Sequence, residues 1–350
     1  MTRPPLAFAI PGDIATLTGG YIYERRLLEG LRRAGHDMRH LELSANFPDP
    51  STADMAQAVA ALAELPADRP VILDGLVFGS IDTAGLARIR APAVAMIHHP
   101  LAQETGLTPA RRDHLFRTER DNLGLVRHVL VPSPHTRRIL IERYAVPSGT
   151  ISVVRPGTDR PRLPPRPQHP PLILSVGILH PRKGHDILIA ALSRLADLDW
   201  RAVIAGNPWD RDHARALARQ CRASPVADRI TLAGRVSDEV LQDLYARAHV
   251  FALATHYEGH GIVFDEALVR GLPIVSCATG AVPDTVPGGA GLLVPPGDPD
   301  ALAGALRRVI ADPDCRHRMA MAAGAAGARL PSWQGMADRA SLVLTGLFGG

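Results

Sequence analysis

The sequence predicts an α/β protein built from two doubly wound parallel sheets. Short runs of β-branched and apolar residues alternate with longer runs of helical period along the chain, which is typical of strands and helices in a parallel sheet. A stretch at 156–171 with seven prolines in sixteen residues interrupts the alternation, which restarts after it. The length of 350 residues is enough for two hydrophobic cores.

Each half of the chain carries six predicted strands, and helical runs separate them. In the first half the predicted strands are 6–10, 38–43, 71–75, 93–98, 128–133 and 151–157. The predicted helices between them are 20–34, 52–65, 108–123 and 134–143. In the second half the predicted strands are 172–177, 200–206, 230–236, 250–255, 273–277 and 291–295.

The proline-rich stretch divides the chain into two predicted domains. Proline fixes φ and lacks an N–H, so residues 161–171 are predicted to be a semi-rigid linker. Residues 1–160 form the first predicted domain and residues 172–330 the second, while 331–350 are predicted to be a C-terminal helix that packs back toward the first domain. Because ligands bind at the carboxyl ends of parallel strands, the loops of both domains are expected to line a cleft between them.

Composition and charge exclude several classes of protein. Apolar residues at 46% and charged residues at 21% are typical of a globular chain. The net charge of +4 permits an anionic ligand, but no run of alternating basic and aromatic residues indicates nucleic-acid binding. The three cysteines share no metal-type spacing, which favours a reduced, cytoplasmic chain. The N-terminal apolar run is too short for a signal peptide, and no window of about 18 apolar residues predicts a membrane span.

Lys183 is the only lysine in the chain, and the rest of the 39 Lys and Arg residues are arginines. It lies beside Arg182 in a loop between a predicted strand and a predicted helix, where free N–H groups and the helix dipole favour anions. Two adjacent cations at such a position indicate a bound anion, and a compact ammonium suits phosphate oxygens that come from several directions. An ordinary solvated surface pair is the alternative interpretation.

A second loop, "THYEGHGIVFDEALVRGLP" at 255–273, combines two glutamates with two glycines. Glu258 precedes Gly259 and Gly261, and Glu266 falls in the early turns of the helix that follows. Glycines let the backbone N–H groups approach a ligand closely, and carboxylates can hold the hydroxyls of a sugar or a ribose. The alternative interpretation is a plain loop carboxylate and an ordinary charge near a helix N-terminus.

These two loops, "SVGILHPRKGHDILIAAL" and "EGHGIVFDEALVRGLPIV", resemble those of the retaining nucleotide-sugar glycosyltransferases of family 4, which have the GT-B fold. Glu258 and Glu266 match the two glutamates that the family places seven residues apart. The resemblance extends to "TGGYIYERRLLEGLRRAGHDM" near the N-terminus, to "VPSPHTRRIL" and "VVRPGTD", and to the late segment "GAVPDTVPGGAGLLVPPGDPDALAGAL". It covers nearly the whole chain, with the first domain on the acceptor side and the second binding the donor.

The resemblance implies a role for each matching residue. Arg182 and Lys183 would bind the donor diphosphate, Glu258 the transferred sugar, and Glu266 the nucleotide ribose. His98, at the end of a predicted strand, matches the family's active-site histidine, although His99 beside it leaves open which imidazole acts. The catalytic set is therefore His98, Glu258, Lys183 and Arg182. The further donor-binding residues are Gly19, Gly20, Gly234, Arg235, Val236, Gly259, His260, Gly261 and Ile262.

The implied reaction is transfer of a hexose from a nucleoside-diphosphate sugar, with uridine favoured over guanosine, to an alcohol acceptor. Fixed positive groups stabilise the departing diphosphate, so neither a metal nor a cofactor is expected. The Asp-x-Asp pairs at 210/212, 298/300 and 312/314 are interpreted as turns or helix starts on the surface. The acceptor is left open as a small molecule, a glycan or a lipid-linked glycan.

Four other functions were weighed. A nicotinamide dehydrogenase would need G-x-G-x-x-G after the first strand of a domain, and neither glycine loop has it. A sugar phosphorylase or a nucleotide-sugar epimerase shares the two-domain architecture and stays open. A non-catalytic nucleotide-sugar binding protein is the fourth, and it would need fewer of His98, Lys183 and Glu258.

The basic character of residues 88–143, with ten arginines against five carboxylates, raises the question of membrane contact. The predicted helix "PARRDHLFRTERDNLGL" at 109–125 has few large apolar groups, and its carboxylates dilute its positive charge. A net excess this small predicts weak, salt-sensitive adhesion to anionic lipid at most. The sequence therefore predicts a soluble cytoplasmic protein with at most transient membrane contact.

Overall fold

Two parallel sheets of six strands each form the two halves of the structure, a computed structural model that describes residues 3–349. The first unit comprises residues 1–157 together with 331–350, and the second unit comprises residues 158–330. Strands pair in parallel throughout both sheets, and helices separate consecutive strands. The predicted α/β class is confirmed, because both units are doubly wound and Rossmann-like.

The first sheet has the strand order β2-β1-β3-β4-β5-β6, so the order reverses between β1 and β3. Its strands are β1 Leu6–Pro11, β2 Met38–Leu43, β3 Val71–Asp74, β4 Ala93–Met96, β5 His128–Val131 and β6 Ile151–Val153. Its helices up to this point of the chain are α1 Gly19–Arg33, α2 Thr52–Ala63, α3 Gly75–Phe78, α4 Thr83–Leu86, α5 Pro109–Leu123 and α6 Pro134–Tyr144.

The second sheet has the order β12-β11-β10-β7-β8-β9, and its order reverses between β7 and β10. Its strands are β7 Leu172–Val176, β8 Arg201–Ala205, β9 Ile230–Gly234, β10 Ala248–Leu253, β11 Ile274–Cys277 and β12 Gly291–Val294. Its helices are α7 His185–Leu192, α8 Arg211–Ala223, α9 Asp238–Arg247, α10 Ile262–Leu268, α11 Val282–Thr285, α12 Pro299–Ala311 and α13 Pro313–Gly327.

Helices cover both faces of each sheet, so the central strands are buried on both sides. The "VILD" strand β3 and the "AVAM" strand β4 are fully buried, which is why they are continuous apolar runs rather than alternating ones. In the second unit, separate apolar clusters pack on the two faces of the sheet. This layering leaves the loops at the strand ends as the places for chemistry.

The helix α14, Trp333–Phe348, belongs to the first unit and packs on α1. A Cβ at Gly30 of α1 would lie 2.3 Å from the Cβ of Ala337, so the two helices approach closely. His36 Nε2 lies 2.8 Å from the Ser341 hydroxyl. The two contacts fix the last helix of the chain against the first.

Two features differ in detail from the predicted elements. The predicted strand 71–75 ends at Asp74, because the Asp74 carboxylate accepts the N–H of Leu76 and of Val77 and so caps the short α3. Helices α3 and α4 were not predicted, since four residues are too few to show a helical period.

Residues 161–171, predicted to be a linker, group with the second unit. Arg162 forms an ion pair with Asp238 of α9 at 2.7 Å. The backbone N–H of Arg166 donates to the carbonyl of Ala246 at 2.7 Å. The proline-rich segment therefore runs as extended chain along α9.

Among the helices of residues 3–349, none combines the length and the apolar character that a membrane span requires.

Candidate active site

The lysine loop (residues 177–184) leaves the carboxyl end of β7 at the centre of the second sheet. The chain makes a 3₁₀ turn over Pro181–Lys183 and then enters α7. Gly184 joins the turn to the helix with φ +62°, and a Cβ there would lie 2.0 Å from the carbonyl oxygen of Ala254. Glycine is required at this position both by the left-handed backbone and by the close approach to the end of β10.

The glutamate loop (residues 255–261) leaves the carboxyl end of β10, the neighbour of β7 in the sheet. The backbone N–H of His256 donates to the carbonyl of Arg182 at 2.8 Å, and the Thr255 hydroxyl lies 3.0 Å from the same oxygen. These contacts join the two loops where the strand order reverses, which is where open α/β sheets bind ligands.

Lys183 and Glu258 form a buried ion pair between the two loops. Lys183 Nζ lies 2.6 Å from Glu258 Oε1, and Arg182 Nη1 lies 3.8 Å from Glu258 Oε2. The Lys183 side chain is 13% exposed and the Glu258 side chain 6%. The Thr255 hydroxyl lies 3.0 Å from Glu258 Oε1 as a further donor. Two cations therefore surround one carboxylate.

The electrostatics of this group keep the carboxylate ionised. Burial by itself raises the pKa of Glu258, but the charges of Lys183 and Arg182 outweigh it and hold the pKa below its ordinary value. Because one carboxylate faces two cations, the group keeps one formal positive charge. The arrangement is suited to an anionic ligand.

The backbone of Glu258 is held from the side of β11 as well. The N–H of Ala281 donates to the Glu258 carbonyl at 2.8 Å, and a Cβ at Gly280 would lie 2.4 Å from that oxygen. Three neighbouring strand ends thus fix the position of one carboxylate.

Glu266 lies on α10 and pairs with a tyrosine that the sequence analysis did not single out. Its Oε2 accepts a hydrogen bond from the hydroxyl of Tyr245 at 2.7 Å. The guanidinium of Arg270 stacks over the Tyr245 ring at 4.3 Å and donates to the Glu266 carbonyl at 2.7 Å. Burial is the largest cause that raises the pKa of Glu266.

The other predicted donor-binding residues of the second unit lie at the same carboxyl edge of its sheet. Gly234 ends β9, Arg235 is exposed, and Val236 packs against the core. In the glutamate loop, Gly259 is followed by His260, whose Nε2 lies 2.5 Å from Asp265 Oδ2. Gly261 is the N-cap of α10, and Ile262 is its first residue.

In the first unit, His98 follows β4 and lies against the start of α1. Its Nε2 is 3.2 Å from Oε1 of Glu24, and the ring of Tyr23 meets the imidazole edge-on at 5.3 Å. Gly19 begins α1, and a Cβ at Gly20 would lie 3.6 Å from His98 Cδ2. The structure therefore brings the predicted glycines and the predicted histidine together.

Glu24, Asp74 and His98 form what we call the carboxyl–histidine cluster, with ligand atoms within 4.8 Å of one another. It is the only such group of metal-ligating side chain types among residues 3–349. Burial raises the pKa of Glu24 to about 7, and burial and Glu24 raise that of Asp74 well above its ordinary value. Burial lowers the pKa of His98. The cluster thus contains two carboxyls and no lysine or arginine, unlike the group of Lys183, Arg182 and Glu258.

His99, the second candidate imidazole, has a different environment. Its Nε2 lies 3.2 Å from Oε2 of Glu104. The two adjacent histidines are therefore held by carboxylates from different segments.

Several residues of these groups escaped the sequence analysis. Glu24 had a detectable signal, because it occupies a position on the apolar stripe of α1 with Leu27, Leu28 and Leu31. Asp74 had one as well, since it ends a buried strand. Tyr245 had no signal, because a tyrosine in a helix is most often part of the core.

The three Asp-x-Asp pairs begin helices, as the sequence analysis interpreted them. Asp210, Asp298 and Asp312 are the N-caps of α8, α12 and α13.

Comparison with known proteins shows what each unit is similar to. The model of the family described as Glycosyltransferase Family 4 matches residues 19–162, and that of Glycosyl transferases group 1 matches residues 159–325. Each unit is therefore similar to a glycosyltransferase family, and the two matches together extend over residues 19–325. The first match contains His98, and the second contains Lys183 and Glu258.

Two curated relatives of these glycosyltransferases show how far the similarity extends. A D-inositol 3-phosphate glycosyltransferase of Kineococcus radiotolerans is 33% identical over 219 residues, which cover 54% of this chain and 50% of that protein. A GDP-mannose-dependent alpha-(1-6)-phosphatidylinositol monomannoside mannosyltransferase of Mycobacterium tuberculosis is 31% identical over 218 residues. These residues cover 56% of this chain and 54% of that protein. The chain spans about half the length of the curated relatives it matches.

Solved structures agree with the GT-B fold. The sucrose-phosphate synthase of Thermosynechococcus elongatus superposes with a TM-score of 0.84 over 99% of both chains, at 23% sequence identity. At this level of identity the likeness supports the fold alone.

Proposed function

We propose that this protein is a retaining glycosyltransferase that moves a hexose from a nucleoside-diphosphate sugar to an alcohol acceptor without a metal. The observation that carries the proposal is the buried group of Lys183, Arg182 and Glu258 at the strand-order reversal of the second unit. The matches to two glycosyltransferase family models and the names of the relatives support it.

The chemistry follows from the charges of that group. When the bond between the sugar C1 and the diphosphate oxygen breaks, electrons move to the diphosphate, and positive charge develops on the sugar. Arg182 and Lys183 are fixed in place by the contacts of both loops, so they stabilise the leaving group without reorganisation. The formal positive charge of the group supplies this without a metal ion.

Glu258 has two effects in this scheme. Its charge holds the ammonium of Lys183 in place, and its carboxylate lies where it can accept hydrogen bonds from the hydroxyls of the transferred sugar. The backbone of Gly259, His260, Gly261 and Ile262 contacts the same sugar in the role that the family resemblance implies. His98 of the first unit is the active-site imidazole of the proposed reaction.

The remaining roles concern the nucleotide. Glu266, oriented by the hydroxyl of Tyr245, accepts the ribose hydroxyls. The base lies near Gly234, Arg235 and Val236.

The names of the relatives restrict the donor nucleotide and the acceptor only to broad chemical classes. We favour a uridine donor because uridine donors are the commonest in families of this kind, whereas one relative is named for GDP-mannose. Both relatives are named for inositol-containing acceptors, which are alcohols. We propose an alcohol acceptor and cytoplasmic action with at most transient membrane contact.

The test is a panel of UDP- and GDP-hexoses, screened by thermal shift and followed by donor hydrolysis and transfer to alcohols. Release of nucleoside diphosphate by the wild type is expected, unchanged after dialysis against EDTA, with the anomeric configuration retained in the product. Transfer only to inorganic phosphate would instead indicate a phosphorylase, and isomerisation of the donor sugar an epimerase. Donor binding with no turnover in any arm would indicate a binding protein and overturn the proposal.

A further inference from the structure

Glu24 is the only side chain for which the structure records a hydrogen bond to the imidazole nitrogens of His98 within residues 3–349. It lies on α1, 1% exposed, with Oε1 at 3.2 Å from His98 Nε2. Tyr23 presses on the ring from the same helix and is itself fixed by its hydroxyl, which donates to the carbonyl of Val154 at 2.9 Å. One helix thus sets both the plane and the hydrogen bond of this imidazole.

Asp74 supports Glu24 from the end of β3. Its Oδ1 accepts the N–H of Leu76 at 2.8 Å, and a carboxyl oxygen of Asp74 lies within 4.8 Å of one of Glu24. Two buried carboxyls in contact retain a proton between them, since ionising both would place like charges together.

The titratable groups that face this pair from the surrounding elements are few. They are His98 after β4 and Tyr21 and Tyr23 of α1, and Asp13 of the loop after β1 acts in turn on Tyr21. No lysine or arginine is recorded among the charges acting on Glu24 or Asp74 in the described chain. A proton kept within the pair therefore avoids the repulsion between two neighbouring carboxylates.

We propose that Glu24 is a positioning residue for His98 and holds the imidazole by its Nε2–H, with Asp74 beside the Glu24 carboxyl. Glu24 touches no substrate in this arrangement and acts through the imidazole. The Nε2–H is used in the protein, so Nδ1 is the ring nitrogen that accepts a hydrogen bond from a hydroxyl. That a sugar hydroxyl is the donor rests on the proposed function.

The direct test is the imidazole N–H signal of the whole protein in proton–nitrogen NMR. An Nε2–H that donates to the buried carboxyl of Glu24 exchanges slowly, so the wild type should show a downfield resonance that His98→Gln removes. Glu24→Met should abolish it, because no acceptor remains. Glu24→Gln should keep it, because the amide oxygen still accepts, but its shift should lose the pH dependence that the wild type shows around pH 7, the pKa of Glu24.

A matched control exists in the same unit. Glu119 is also fully buried, and burial raises its pKa to about 8, so Glu119→Gln tests the general effect of neutralising a buried carboxyl. It should leave the His98 resonance unchanged. If Glu24→Met does not fold, the comparison of Glu24→Gln with Glu119→Gln still tests the role of Glu24, through the pH dependence of the His98 resonance.

Kinetics provides the second readout. Glu24→Met should lower kcat by up to about 100-fold through misplacement of the imidazole, with the affinity for nucleoside diphosphate unchanged, and Glu24→Gln should recover most of the loss. A His98 resonance that persists in Glu24→Met would overturn the inference, whatever the activity. If the wild type transfers no sugar, the proposed function fails, and the NMR result alone still supports or rejects the role of Glu24.

Discussion

The two units place clusters of opposite character at the same point of the same kind of sheet, where the strand order reverses. In the second unit, Lys183 and Arg182 surround Glu258, and the pKa of that carboxyl lies below its ordinary value. In the first unit, Glu24 and Asp74 face one histidine without a cation, and burial raises the pKa of Glu24 to about 7. Glu24 and Glu258 are similarly buried. The charges of their neighbours therefore decide whether the pKa of each carboxyl is raised or lowered.

The difference teaches how one architecture is adapted to two tasks. A cluster with surplus positive charge is suited to a charged phosphate, whereas a carboxyl pair that holds a proton is suited to orienting a neutral group. The predictions below test this contrast, beginning with the largest expected effect.

Removing the ammonium should affect turnover most. We expect Lys183→Ala to keep the fold and lower kcat by roughly 10²–10³-fold, since a fixed charge at a leaving group typically contributes that much. Lys183→Arg should also be impaired, because a planar guanidinium cannot occupy the position of a point charge. Donor hydrolysis at saturating donor measures both.

The matched control for this change is Arg215→Ala, which removes an exposed cation of the same unit. It should leave turnover unchanged. Full activity in Lys183→Arg would show that the reaction does not require a lysine at this position.

The two glutamates of the second unit should separate catalysis from binding. Glu258→Gln should lower kcat while binding of bare nucleoside diphosphate stays equal or tightens, because a negative charge leaves the anion site. Glu266→Gln should instead weaken that binding by about tenfold, as expected for a lost hydrogen bond to a charged group. Calorimetry decides, and equal losses of affinity in both variants would contradict the division of roles.

The pH dependence of stability should differ in sign between the clusters. Glu24 and Glu119 of the first unit have pKa values raised by burial to about 7 and about 8. Between pH 4.5 and these values the folded chain keeps protons that the unfolded chain loses, so stability falls as pH rises, by about 1.4 kcal/mol per pH unit for each proton. Glu258, with its lowered pKa, stabilises above its unfolded pKa and loses this on acidification through its folded pKa.

Urea midpoints across pH 4–9 check this prediction. Glu119→Gln should flatten the fall between pH 5 and pH 8, and Glu258→Gln should leave that range unchanged. A fall of the same slope in Glu119→Gln would show that this carboxyl ionises normally.

The smallest effect concerns lipid. The helix α5 buries Leu115 and Leu123 within the first unit, so few apolar groups are left for insertion. At physiological salt we expect only a minor fraction of the protein to sediment with anionic vesicles. Sedimentation of most of the protein would show that the basic region at 88–143 binds membranes.

The fold was predictable because its signal is repeated many times along the chain. All twelve strands were located from apolar runs, with ends that moved by a few residues where side chains cap the next element, as Asp74 does for α3. Short helices such as α3 and α4 lie below the length at which a period can be read.

The site was predictable only in part. The lysine and glutamate loops were recognisable because glycines and charged residues occur there in a specific pattern. That Lys183 and Glu258 pair with each other depends on β7 and β10 being neighbours, which residue spacing alone does not encode. Tyr245 is brought to Glu266 by the packing of α9 beside α10, and no local sequence pattern predicts that contact.

The return of α14 to α1 has a consequence for how the protein is made. The first unit is synthesised first, yet Gly30 and His36 find their partners Ala337 and Ser341 only after the whole second unit has followed. At roughly 5–20 residues per second, the second unit, residues 158–330, takes on the order of 10–30 s to translate. During that time the apolar face of α1 that α14 will cover is open to chaperones, whereas the second unit, uninterrupted in the chain, completes its core as it leaves the ribosome.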